Sequence, residues 1–199
     1  EHMVWFTWPS DGDIANYVED EVDLYWSVPD IADAILDLNA RSTAAGGADV
    51  IGHSLGGRGV ALALAEVAVR APETRVGDVV LLAPDMDFGI FTRLLPRIRP
   101  IAKSITVYVS DKDQPLDLSE ELHGYPRLGQ AGNDVASLDG VEVIDVSRLP
   151  NESASGHLYH IHNSTVGRDL ELLLNGDLSA NERPRLEASG LNVWTLMPN

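Results

Sequence analysis

Four short apolar runs, each separated from the next by a segment with helical periodicity, constrain the fold of this chain most strongly. This alternation is typical of a parallel sheet whose strands are joined by crossover helices. We therefore predict an α/β fold, a three-layer α/β/α sandwich with a mostly parallel sheet. The predicted strands are 49–52, 79–83, 105–109 and 141–146, with a fifth candidate at 4–8 that stops before Pro9.

The segments between the runs predict six helices. In the second of them apolar residues recur at helical spacing opposite a row of aspartates, which indicates a surface that faces the core. The predicted helices are 14–26, 29–40, 57–70, 88–95, 115–123 and 164–175. We predict one domain over 1–177 and a tail, 178–199, that packs on its surface through Trp194 and Leu196.

The charge balance excludes several functional classes. The 199 residues include 31 acidic and 14 basic ones, a formal net charge of −17. Such a chain is a poor candidate for binding nucleic acid or anionic membranes, both of which need basic surfaces. The absence of cysteine excludes disulfides, thiol nucleophiles and cysteine-ligated zinc. No apolar run approaches the roughly 20 residues that a transmembrane helix needs, and the cellular compartment stays open.

The strongest chemical signal is Gly52-His53-Ser54-Leu55-Gly56-Gly57, which follows an apolar run and precedes a helical pattern. A serine hydroxyl is a weak nucleophile unless a sharp strand-to-helix turn exposes it and an imidazole accepts its proton. Flanking glycines permit the strained backbone of such a turn. We interpret Ser54 as a nucleophile, the alternative being a glycine-rich turn with an N-cap serine.

A nucleophilic serine of this type is followed along the chain by an acid and then by a histidine. Asp113 follows the predicted strand 105–109, at the end of a parallel strand where such sheets bind ligands. We favour Asp113 as the acid. Asp111, Asp85 and Asp87 are the alternatives, and each of these aspartates could instead be a turn or N-cap residue.

Three histidines after the last predicted strand compete for the role of base. We favour His157, because it lies in a polar loop of residues 151–156 that could reach Ser54. His160 and His162 are interpreted as packing or capping residues. The three imidazoles could bind zinc or nickel, but no carboxylate lies close by in sequence, so no metal or cofactor is predicted. His53 is expected to face away from Ser54, as a structural residue or a pocket wall.

These segments together resemble the α/β-hydrolase superfamily, and more narrowly a bacterial family of that fold catalogued as a domain of unknown function. The resemblance spans Val4 to about Leu174. It implies that Ser54 is the nucleophile, Asp113 the acid and His157 the base, with the Leu55 N–H in the oxyanion hole. The matching segments are Phe6-Thr7-Trp8-Pro9-Ser10, Gly52-His53-Ser54-Leu55-Gly56, Leu82-Ala83-Pro84-Asp85-Met86-Asp87, Leu95-Pro96-Arg97, Tyr108-Val109-Ser110 with Asp113, Leu122-His123-Gly124 and Gly156-His157.

The amino terminus departs from this pattern. Hydrolases of this superfamily begin with further strands, and a loop after the third supplies a second oxyanion N–H. Here the chain begins at what would be the fourth strand. We therefore expect 4–8 to pair with 49–52, to leave a gap, or to receive a strand from another chain. A long unpaired edge of this kind predicts self-association.

These observations predict a serine hydrolase that acts on carboxylic esters through an acyl-enzyme. Short acyl chains are favoured, because no large apolar insertion could serve as a lid. The alternative is a catalytically weak or inactive hydrolase fold that acts as a binding or assembly module, since an oxyanion donor is missing.

Overall fold

One sheet with helices on both faces organises the computed structural model, which describes residues 3–12, 15–44, 46–151 and 155–198. The strands are β1 Val50–His53, β2 Val76–Leu82, β3 Ala102–Val109, β4 Glu142–Asp145, β5 Leu186–Ala188 and β6 Val193–Leu196; the helices are α1 Tyr17–Arg41, α2 Leu55–Arg70, α3 Phe88–Ile98, α4 Gln114–His123, α5 Tyr159–His162 and α6 Ser164–Leu174, and a 3-10 turn spans Val135–Ser137. The sheet order is β1-β2-β3-β4-β6-β5, and all pairs are parallel except β5 with β6. The predicted α/β fold with a mostly parallel sheet is therefore confirmed.

Alternate residues of the central strands face two separate cores. In β2, which is buried along its whole length, Val79 and Leu81 pack in the core beside α1, α2 and α3. Val80 and Leu82 pack on the opposite face, in the core that contains α6. Because both faces are covered, the strand is continuously apolar rather than alternating. This is the run that the sequence analysis identified at 79–83.

Two predicted helices, 14–26 and 29–40, are one helix, α1, with Pro29 inside it; Ile14 itself lies outside the described residues. An interior proline costs a helix about 3 kcal/mol, because it removes a hydrogen bond and crowds the preceding turn. Leu24, Ile31 and Ile35, on both sides of Pro29, are all buried in the core shared with α2. Their common packing keeps the helix continuous across the proline. No helix in the described ranges is long and apolar enough to cross a bilayer.

The segment after α6 forms part of the sheet, which differs from the predicted tail that packs on the surface. It contributes β5 and β6, and β6 pairs in parallel with β4 inside the sheet. Trp194 and Leu196, the expected anchors, are buried members of β6. The four residues of β6 are too few to produce a clear periodicity, which is why the sequence did not reveal the strand.

The segment 4–8 also differs from the prediction, since it forms no strand. Val4, Trp5 and Phe6 are exposed, Trp5 by 82%. Trp8 alone is partly buried, and it packs against the core beside Gly56. Among the described residues β1 therefore has a strand neighbour, β2, on one side only.

Candidate active site

Ser54 occupies the turn that joins β1 to α2. Its backbone has φ 53° and ψ −125°, a conformation that residues with a side chain rarely adopt. The Ser54 N–H donates to the Leu82 carbonyl at 3.0 Å, and its carbonyl accepts from the Asp85 N–H at 3.0 Å. A Cβ at Gly52 would lie 2.7 Å from the Gly56 carbonyl oxygen, so the turn closes tightly only with glycine there. The predicted strand–serine–helix turn is present.

The Leu55 N–H lies at the amino end of α2. In the described part of the chain this N–H donates no hydrogen bond, as is expected for the first amides of a helix. The helix dipole adds partial positive charge at the same point. The Leu55 N–H is therefore available to an oxygen atom bound beside Ser54.

Asp113 and His157 form a close pair. The His157 Nδ1 lies 2.8 Å and 2.9 Å from the two carboxylate oxygens of Asp113. Asp113 is 1% exposed, and its carboxylate also accepts from the Leu116 N–H as the N-cap of α4. Burial raises the pKa of Asp113, and the hydrogen bond from His157 acts against this. Since a carboxylate only accepts hydrogen bonds, Nδ1 carries the proton in the neutral imidazole.

The loop that carries His157 is fastened to the loop that carries Asp113. The Gln114 N–H donates to the Ser155 carbonyl at 3.1 Å. Gly156, with φ 74°, lies so close to Lys112 that a Cβ would fall 1.9 Å from the Lys112 carbonyl oxygen. Only glycine combines this conformation with this approach. Residues 152–154 of the predicted polar loop lie outside the described residues.

Tyr159 fixes the same segment to the sheet. Its buried hydroxyl accepts from the Ala83 N–H at 2.8 Å and donates to the Tyr108 carbonyl at 3.0 Å. Ala83 directly follows β2, and Tyr108 lies near the carboxyl end of the neighbouring strand β3. His157, two residues earlier, is therefore held between the sheet and the Asp113 loop.

Two further imidazoles adjoin His157. The ring centroid of His53 lies 4.6 Å from that of His157 and 4.3 Å from that of His160. Burial, together with the neighbouring histidines, lowers the pKa of His53 to about 3 and that of His160 to about 4. His162 is exposed. In the ranges that the structure describes, no group of three His, Asp or Glu side chains is arranged to hold a metal ion.

The other candidate acids have other partners. Asp87 is the N-cap of α3 and accepts from the Ile90 N–H at 2.8 Å. Asp111 is exposed. Asp85 is buried, and its carboxylate accepts from the Arg127 Nε at 2.7 Å. Of the four aspartates considered, Asp113 is thus the one that contacts His157.

Asp85 is the centre of a buried polar network that the sequence analysis did not anticipate. Burial alone would raise the pKa of Asp85, but Arg127, Tyr17 and Ser119 hold it below its ordinary value. The network also reaches the turn between β1 and α2 that carries Ser54, here called the elbow, because the Asp85 N–H donates to the Ser54 carbonyl. No sequence motif predicts it, since its members come from separate elements: Tyr17, Glu21, Arg58, Asp85, Ser119, His123 and Arg127.

The Ser54 hydroxyl makes no hydrogen bond to His157 within the described part of the chain. Catalytic hydrogen bonds of this kind are often long before substrate binds. A cavity of about 490 Å³ lies at the opposite end of the strands, beside Arg75, Arg99 and Lys103. Since it is bordered by the first residues of β2 and β3, this cavity is separate from Ser54.

A mostly parallel sheet with a serine at a strand-to-helix turn defines an α/β hydrolase fold. A sequence model of the family described as "Alpha/beta hydrolase of unknown function (DUF900)" matches residues 1–174, and the chain belongs to this family. The resemblance proposed from the sequence is thereby confirmed. No curated protein and no solved structure matches the chain.

Proposed function

We propose that the protein is a serine hydrolase that cleaves carboxylic esters, favouring short acyl chains. The observation that carries the proposal is the pairing of His157 Nδ1 with the buried carboxylate of Asp113 at 2.8 Å. A buried aspartate bonded to one imidazole nitrogen leaves the other nitrogen free as a base. Ser54, at the strained turn, is the nucleophile that such a base would serve.

In the first half of the reaction, His157 Nε2 accepts the proton of the Ser54 hydroxyl while Oγ bonds the ester carbonyl carbon. The carbonyl oxygen gains the negative charge and accepts a hydrogen bond from the Leu55 N–H. Asp113 stabilises the imidazolium that forms. As the carbon–oxygen bond to the alcohol breaks, His157 returns the proton to the departing oxygen.

In the second half, a water molecule replaces the alcohol. His157 Nε2 accepts a proton from the water while its oxygen bonds the acyl carbon. The intermediate collapses, His157 donates the proton to Ser54 Oγ, and the carboxylic acid leaves. The residues return to their starting states, and no cofactor is consumed.

The test is covalent labelling by a fluorophosphonate, followed by intact mass. We expect one adduct on the wild-type protein and none on Ser54→Ala or His157→Ala, with Ser42→Ala, remote from the elbow, labelled like the wild type. Hydrolysis of p-nitrophenyl acetate and octanoate then tests the preference for short chains. An unlabelled wild-type protein that is folded by circular dichroism would overturn the proposal and favour the alternative, a binding or assembly module.

A further inference from the structure

His53 connects the turn that carries Ser54 to the segment that carries His157. It is the residue directly before Ser54 and the last residue of β1. Its Nε2 lies 3.3 Å from the backbone carbonyl oxygen of His157. The His53 ring also packs against the His157 ring, with centroids 4.6 Å apart and planes tilted by 52°.

The chemistry of this contact defines the state of His53. A carbonyl oxygen only accepts, so His53 Nε2 must carry the proton and donate it. Burial among neighbouring histidines lowers the pKa of His53 to about 3, so the ring is neutral near pH 7. A neutral ring can donate this hydrogen bond without repelling the imidazolium that His157 becomes during acylation.

Other contacts that hold this segment, among the described residues, are made to parts of the chain other than Ser54 and His53. Gly156 contacts the Asp113 loop, and Tyr159 bonds the ends of β2 and β3. The Ser54 hydroxyl makes no hydrogen bond to His157 among the described residues. His53 joins the two residues directly, because it is bonded covalently to Ser54 and its Nε2 lies 3.3 Å from the His157 carbonyl oxygen. Another route between them is longer and passes through the Tyr159 hydroxyl and the end of β2.

We propose that His53 is a positioning residue that holds His157 at the nucleophile through the Nε2–H bond to the His157 carbonyl and the packing of the two rings. This inference rests on the proposed hydrolase function, in which His157 is the base. It departs from the expectation that His53 is only a structural residue or a pocket wall. In the proposed reaction the proton moves between Ser54 and His157, so the role assigned to His53 is exerted through its contacts with His157.

The first test compares fluorophosphonate labelling rates of His53→Leu, which lacks a donor, and His53→Gln, whose amide N–H can replace Nε2–H. A misplacement of about 1 Å costs roughly 100-fold in rate. We expect His53→Leu to be labelled about 10- to 100-fold more slowly and His53→Gln to recover most of the loss. The matched control is His162→Leu, an exposed imidazole of the same segment, which we expect to be labelled like the wild type.

Equal labelling of wild type and His53→Leu would overturn the inference and leave the hydrolase proposal intact, whereas an unlabelled wild type would overturn the hydrolase proposal. A second measurement does not depend on activity. The His157 Nδ1 proton, bonded to Asp113, should give a strongly downfield NMR signal in wild type and His53→Gln that is broadened by solvent exchange in His53→Leu. An unchanged signal in His53→Leu would contradict the positioning role whatever the labelling shows.

Discussion

The backbone of Ser54 holds strain at the point where the chemistry is proposed. A residue with a side chain in so sparsely populated a conformation costs of order 1–3 kcal/mol. The surrounding bonds, from Ser54 N–H to Leu82 and from Asp85 N–H to Ser54, impose it. The conformation presents the hydroxyl on a tight turn, and a more relaxed backbone would turn it elsewhere.

Replacing Ser54 by glycine should therefore release the strain. We expect Ser54→Gly to be more stable than Ser54→Ala by about 1 kcal/mol in urea unfolding, because glycine tolerates φ 53°. The control pair is Ser42→Gly and Ser42→Ala, at a residue with φ −65°. There glycine should be the less stable variant, because it only gains freedom in the unfolded chain. If Ser54→Gly were no more stable than Ser54→Ala, the turn would not be strained.

The buried carboxylate of Asp113 also predicts that a substitution at the proposed site increases the stability of the protein. Burial raises the pKa of Asp113 in the native state. A raised carboxyl pKa favours folding at low pH, and this contribution is lost as the pH rises through the native pKa. We therefore expect Asp113→Asn, which never ionises, to be more stable than the wild type at pH 7, with the difference closing in acid. Fluorophosphonate labelling should fall by about 10⁴-fold, because asparagine favours the wrong tautomer of His157. An Asp113→Asn variant that is less stable at pH 7 would contradict this account.

At the scale of elements, the Asp85 network joins the beginning of α1, the beginning of α2 and the end of α4 to the loop after β2. Arg58 bonds Glu21 of α1 and the Asp85 carbonyl, and Ser119 of α4 bonds the Asp85 carboxylate at 2.7 Å. Arg58 and Arg127 are 5% and 2% exposed, so both depend on buried acceptors. The network fixes these helices around the elbow without contributing an atom to the proposed reaction.

Removing the charge of Asp85 should be costly. Asp85→Asn leaves two buried guanidinium groups without this counter-charge, which typically costs about 3–5 kcal/mol of unfolding free energy. The pKa of Asp85 is lowered, so its contribution is present above the ordinary aspartate pKa and is lost as the pH falls through the native value. The difference in unfolding free energy between the wild type and Asp85→Asn should thus become smaller in acid. Asp33→Asn, which removes an exposed partner of Arg70, should change stability by less than about 1 kcal/mol. Similar costs for the two variants would argue against the network.

The sequence predicted the strands and the proximity of Asp113 and His157, but not the contacts that tertiary packing brings together. The strands at 79–83 and 105–109 were evident because a doubly covered strand is continuously apolar. The proximity of Asp113 and His157 was predictable, since both follow parallel strands whose carboxyl ends meet at one edge of the sheet. The Asp85 network was not, because tertiary packing assembles it from residues that have no common spacing. The sequence predicted a helix break at Pro29, but the packing of Leu24 and Ile31 in the core outweighs the preference of proline against a helix interior.

At the scale of the whole molecule we predict self-association through β1, which among the described residues has no strand neighbour on the side away from β2. Ile51 in β1 is 47% exposed, and two such edges from two copies can pair about a two-fold axis. The net charge of −17 opposes this contact, so the light-scattering mass should rise with protein concentration and rise further in salt. Ile51→Lys should suppress the rise, while Val69→Lys, at an exposed apolar residue of α2, should not. A monomer at the highest concentration and salt would contradict the prediction.

The Ala83 N–H donates to the Tyr159 hydroxyl, so hydrogen exchange at this one amide reports on the segment that carries Tyr159 and His157. Hydrogen exchange at Ala83 requires this amide to be released, and release of Tyr159 frees the segment that bears His157. The amide also lies 3.3 Å from the Tyr108 carbonyl, within the sheet. In Tyr159→Phe, which keeps the ring and loses the acceptor, exchange at Ala83 would measure the protection left by the sheet alone. The logarithm of the ratio of the two exchange rates, multiplied by RT, gives the free energy that the Tyr159 hydroxyl contributes to holding this segment on the sheet.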